Sequence, residues 1–168
     1  MTDLYTILVD YVNDSADAFN EGKRQKNVEK YQQAADIVQK CLKEYNPLPD
    51  ITLKRETQER RIIKLYLLIF QNGVDAYKAL LKEDEAQKLF SIARNYALTV
   101  QKSIENDHEL SGLYIQLETV AARKYKSSPP AKYDNGENSD TAAIVGAVAI
   151  GALAIGALAA LLLGGKNK

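Results

Sequence analysis

IIKLYLLIF, residues 62–70, is apolar on most sides of a helix and is the stretch on which the fold turns. It carries one charge, Lys64, and follows directly on the highly charged LKRETQERR of residues 53–61. A helix that is apolar nearly all round must be covered on several faces, so this run is expected at the centre of the core. The helix containing it is expected between Asp50, a candidate N-cap, and Lys82.

Outward from this run, the apolar residues keep helical spacing. Toward the N-terminus, Leu4, Ile7, Leu8, Tyr11, Val12, Ala18 and Phe19 define a first amphipathic helix, and Val28, Tyr31, Ala34, Ala35, Val38, Cys41, Leu42 and Tyr45 a second. Gly22 and the polar GKRQKN separate them, and NPLPD ends the second because proline cannot continue a helix. Toward the C-terminus, Asp84 is expected to cap a helix bearing Ala86, Leu89, Phe90, Ala93, Tyr96, Ala97, Val100 and Ile104. Asn106 with Glu109 three residues on marks the start of a further helix bearing Leu110, Leu113, Tyr114, Leu117 and Val120. No strand pattern of useful length occurs. The expected fold class is all-α: an antiparallel bundle of about five helices over residues 1–126, with short loops making successive helices neighbours.

Beyond this domain the composition changes. KSSPPAKYDNGENSD, residues 126–140, lacks an apolar rhythm and reads as a flexible linker over 127–140. From Thr141 to Leu163 there is no charge and no proline. As a helix this segment would extend roughly 35 Å, enough for one crossing of a roughly 30 Å hydrocarbon core. It is expected to be a transmembrane anchor, followed by a short basic tail, 164–168, containing Lys166 and Lys168. The chain begins MTDLYTILVDYVND, without the basic start and apolar run of a secretory signal. That combination predicts a tail-anchored protein. Arg123, Lys124, Lys126 and Lys132 before the span outnumber Lys166 and Lys168 after it, which places residues 1–126 on the cytosolic side. A lone cysteine, Cys41, excludes an intramolecular disulfide and fits a reducing compartment.

Alanine and glycine outnumber leucine and isoleucine in the anchor, so it is only moderately apolar. Small residues recur every four positions at Ala143, Ala147 and Gly151, and again at Ala152, Gly156 and Ala160, a spacing that lets membrane helices approach closely. Weak self-association through the anchor is therefore one expectation, although Gly146, Gly151 and Gly156 themselves fall five apart and do not share a face. A moderate span followed by Lys166 and Lys168 fits the mitochondrial outer membrane, with the endoplasmic reticulum and the peroxisome as competitors.

Twenty-two basic residues balance 22 acidic ones, so no global charge bias favours nucleic acid, and protein partners are expected. His108 is the only histidine, and with no second candidate no Ser/His/Asp or Cys/His set can be assembled. It reads as a solvated residue beside a helix start. Glu83, Asp84 and Glu85 complement a helix dipole and lack EF-hand spacing. No enzyme, metal or cofactor is expected, nucleotides included. Cys41 lies on an apolar stripe, where a small buried hydrophobe is the ordinary role. Around LKRETQERR, pairing of Glu56 with Arg60 predicts a solvated face, and the sharper alternative is a basic docking surface. Ten tyrosines with no tryptophan suggest that several line a groove.

Phe70, Gly73, Val74, Tyr77, Ala86, Phe90 and Ala93 resemble the pattern of a tetratricopeptide repeat, with the large and small residues of its pair exchanged and Leu98 standing where a proline would end the unit. Gly22, Ala34 and Cys41 resemble three positions of an upstream unit, in which Ala18 and Gln25 replace the two aromatic positions. The resemblance implies a degenerate two-unit version over residues 15–105. With the anchor and the KNK end, the whole chain resembles the mitochondrial fission adaptor family in length and order of parts, and plant-type import receptors share that layout. Either resemblance implies a groove that docks a cytosolic protein or a targeting helix. The alternative reading is a vesicle-trafficking or membrane-fusion factor, because DAFNEGKRQKNVEKYQQAADIVQKCLKEY resembles a microtubule-interacting-and-trafficking hairpin. The break at Pro129 and Pro130 argues against a continuous helix running into the anchor.

Overall fold

Residues 62–70 lie inside α3, Arg60–Ala79, and every one of them except Lys64 and Leu68 is buried. The computed structural model describes residues 3–47 and 59–124, and within them all regular structure is helical. The order is α1 Leu4–Gln25, α2 Val28–Glu44, α3, α4 Glu83–Thr99, α5 Gln101–Glu105 and α6 His108–Ala122. The helices through Ala121 form one packed unit.

Side-chain contacts give the directions. Arg61 stacks 5.1 Å from the Tyr5 ring, and Asn72 donates to Val12 O and Ser15 Oγ, so α1 and α3 run parallel. Tyr66 Oη donates to Tyr45 O and Lys82 Nζ to Gln32 Oε1, so α2 runs against α3. The Tyr66 and Tyr96 rings meet edge to face at 5.3 Å, while Lys78 meets Glu83 near the following turn, so α4 also runs against α3. Arg60 bonds Asp107 at the N-terminus of α6. Gln87 bonds Ala121 at the other end of α6, which makes α6 antiparallel to α4 and parallel to α3. Three parallel helices, α1, α3 and α6, thus alternate along the chain with two reversed ones, α2 and α4.

Close approach of α3 to its neighbours depends on Gly73. A Cβ there would lie 2.5 Å from Leu89 Cδ2 and 2.7 Å from Val38 Cγ1, inside contact distance of both α4 and α2. On α3 and its two neighbours, Ile63, Leu67, Ile69, Phe70, Val74, Leu89 and Val38 are at most 2% exposed. Each such side chain removed from water contributes about 1.5–3 kcal/mol, which is what holds the helices together.

Several local expectations are corrected. Gly22 does not break α1; it is buried in its last turns, where a Cβ would meet the Tyr31 ring at 2.9 Å, and the chain reverses instead at Lys26 in a left-handed conformation, φ 51°. Asp84 does not cap α4, which starts one residue earlier after Lys82 without a side-chain cap, leaving Asp84 in the first turn. The cap of α6 is Asp107, whose Oδ1 accepts from the backbone N–H groups of Glu109 and Leu110, and not Asn106. A single helix through Val100 is replaced by two, with Val100 outside helical geometry and the Thr99 hydroxyl donating to Tyr96 O at 2.7 Å. The described residues therefore hold six helices, one of them a five-residue piece, where about five were expected. The expected cap Asp50, the linker 127–140, the anchor 141–163 and the tail 164–168 lie outside the described residues.

Candidate functional site

α3 packs against α1, α2 and α4, and α6 meets it through ion pairs at its N-terminal end. What it leaves open is one stripe. Lys64, Leu68, Gln71 and Asp75 are half-buried and recur at the four- and three-residue intervals of a single helix face. Gln71 Oε1 is covered yet has no hydrogen-bond partner, an arrangement that costs about 1–3 kcal/mol unless a donor arrives. Beside it Asn72 is spent on α1, its amide donating at 3.2 Å to Val12 O and at 2.9 Å to Ser15 Oγ. A face of this kind, with apolar and amide groups on a rigid helix, can hold a polypeptide surface.

At the N-terminal end of the stripe the basic residues are engaged. Arg60 donates to Asp107 and Glu109, Lys64 meets Glu109 Oε1 at 2.5 Å, and Arg61 meets Glu59 at 3.1 Å. The expected pairing of Arg60 with Glu56 is not described, since Glu56 lies outside the described residues. Hydrogen bonding to Arg60 holds the Asp107 carboxyl below the usual carboxylate range, and hydrogen bonding to Lys64 and Arg60 does the same for Glu109. These charges close the N-terminal ends of α3 and α6 upon each other, and that use competes with a basic docking surface.

The repeat-pattern residues sit behind the stripe. Phe70, Ala86 and Ala93 are fully buried, Gly73 and Tyr77 are buried, and Phe90 is half-buried. Phe70, Gly73 and Tyr77 come from α3 and Ala86, Phe90 and Ala93 from α4; the Phe70 ring lies 6.1 Å from that of Tyr96. Gly22, Ala34 and Cys41 are likewise buried, in α1 and α2. Their positions are those of packing residues. Gly146, Gly151, Gly156, Lys166 and Lys168 lie outside the described residues.

The eight described tyrosines divide between the core and the surface. Tyr66 and Tyr96 are at most 1% exposed and Tyr77 and Tyr114 are also buried, while Tyr11, Tyr31 and Tyr45 are half-buried and Tyr5 is exposed. Burial raises the phenols of Tyr66 and Tyr96 well above their ordinary range, and Tyr114 to about 12. Beside Tyr114, burial also raises the Glu118 carboxyl. Burial pushes the Cys41 thiol up to about 12, so it carries little thiolate at neutral pH. His108 is exposed at the first position of α6. Among the described residues no group of three His, Cys, Asp or Glu is arranged to hold a metal ion, and no helix is long and apolar enough to cross a membrane.

The sequence reading missed Lys78 and Gln71. Lys78 sits in α3 only 1% exposed with its ammonium 2.6 Å from Glu83 Oε1. The signal available was its place among Val74, Ala76 and Tyr77 on a helix buried on most sides, where a lysine needs an acid within reach. Searches against protein-family models, characterised proteins and solved structures find no match to this chain.

Proposed function

We propose that this chain is a membrane-anchored adaptor. Its helical domain, displayed on the cytosolic side by the apolar segment 141–163, docks a protein partner at an organelle surface. The observation that carries the proposal is the absence of any charge between Asp140 and Lys166, in a chain whose preceding domain is densely charged and separated from that segment by a polar linker. Supporting it, the domain buries its apolar stripes helix on helix, so its closure does not call for lipid. The open stripe of α3, with Leu68 and the unpartnered Gln71 acceptor, supplies a face for the partner.

The membrane proposed is the mitochondrial outer membrane, in organelle division and shape or in protein import. The support is the moderate apolarity of 141–163 and the basic flank Lys166 and Lys168. Imaging the tagged chain beside markers for mitochondria, endoplasmic reticulum and peroxisomes tests the location. The expected pattern is a mitochondrial rim that moves to the reticulum when Gly151 and Gly156 become leucine. A reticular wild type contradicts the location. Capture of partners by the chain and by a Leu68→Glu variant tests the docking face; an identical set of partners from both contradicts it.

A further inference from the structure

The last turn of α6 is gripped from α4. Gln87 Nε2 donates to the carbonyl oxygen of Ala121 at 3.0 Å and to Glu83 Oε1 at 2.9 Å. Glu83 Oε1 also accepts from Lys78 Nζ at 2.6 Å. The carbonyls of a helix's last four residues have no donor within the helix, so Ala121 O would ordinarily turn to water. Here it is met by a side chain whose direction is fixed at its other end. The ammonium of Lys78, buried in α3, holds the carboxylate; the carboxylate orients the amide; the amide holds the carbonyl. Three helices are thus connected at the place where the chain leaves the described fold.

We propose that Lys78, Glu83 and Gln87 form a clamp that sets where the folded domain ends and the tether toward segment 141–163 begins. With the clamp closed the helix persists to Ala122. With it open the last turn joins the tether, and each released residue lengthens from about 1.5 Å to about 3.3 Å of reach. Burial of Leu117, Val120 and Ala121 on the inner side of α6 supplies the apolar half of the hold, and Gln87 the polar half. The clamp's consequence for tether length rests on the anchored-adaptor reading, but its existence does not.

Hydrogen exchange of the 168-residue chain in detergent micelles, followed by mass spectrometry, separates the two. Gln87→Leu keeps the bulk and removes the donor, and Gln87→Glu replaces the donor with a carboxylate facing Glu83 and Ala121 O. Both variants should speed exchange over residues 118–122 by tenfold or more while residues 62–77 keep their wild-type rates. Unchanged exchange over 118–122 in both variants overturns the clamp, as does equal acceleration across 62–77. Since the measurement involves no partner and no organelle, its failure leaves the adaptor reading standing, and a mislocalised chain leaves the clamp standing.

Discussion

α3 meets α4 and α6 by different means. Against α4 the contact is apolar and close, with Gly73 admitting Leu89 and with Phe70, Tyr66 and Tyr96 in ring contact. Against α6 the described polar contact is ionic and peripheral, Arg60 and Lys64 reaching Asp107 and Glu109. Apolar burial is insensitive to pH and salt at the level of single charges, whereas exposed ion pairs are screened and titrate. One helix therefore has an apolar joint to α4 on one side, and on the other its described contact with α6 is a set of ion pairs that adds to the apolar burial of α6.

The largest effect should come from emptying the apolar joint. Phe70→Ala removes a ring that is fully buried, and a loss of about 3–5 kcal/mol is expected in denaturant unfolding. A loss below about 1 kcal/mol would mean that α3 and α4 are not packed as described. Next comes overfilling it. Gly73→Ala gains about 1 kcal/mol of helix propensity but drives a methyl into Val38 and Leu89, and a stiff valine cannot move aside cheaply. The expected net change is a loss of about 1–2 kcal/mol. Gly112→Ala in α6 is the control for this substitution, because nothing lies within 4 Å of its added Cβ, and there the propensity gain of about 1 kcal/mol should appear undiminished. If both alanines stabilise, the close approach at Gly73 is wrong.

A smaller effect should appear on the ionic side as a pH dependence. Asp107 and Glu109 have folded pKa values held below their unfolded ones, so their contribution is fully present above the unfolded carboxylate range near pH 4. It is lost as pH falls through the lowered values. Glu118 has the opposite sign: burial raises its pKa, so its charge costs stability above the unfolded value and protonation recovers it. Melting temperatures of Asp107→Asn should therefore converge with wild type at low pH and fall below it at neutral pH. Glu118→Gln should melt above wild type at neutral pH and match it in acid. The reverse ordering in either variant would contradict the assigned contacts.

How much of this was readable in advance follows from what each feature depends on. IIKLYLLIF declared α3 as the core helix because an all-round apolar run has no other stable place in a soluble fold, and α3 is the most buried helix described. The boundary at Val100 was not readable, because no proline or glycine marks it in the sequence. The Asp107 cap was missed for Asn106 one residue earlier, since adjacent Asn and Asp satisfy the same pattern and only the backbone angle decides. The open stripe of α3 depends on which neighbours flank it, and Lys78 on a partner across a turn; neither is a property of local spacing. The half-buried stripe of α3 is thus a consequence of tertiary arrangement, whereas the apolar segment 141–163 is a property of composition alone.

The central claim is that residues 141–163 hold the helical domain to a membrane, and alkaline carbonate extraction of membranes from cells expressing the chain tests it most directly. The account predicts that the full 168-residue chain stays in the pellet after extraction, while a chain ending at residue 140 is recovered in the supernatant with its helical circular dichroism spectrum intact. Release of the full chain by carbonate, or retention of the shortened one, would contradict it.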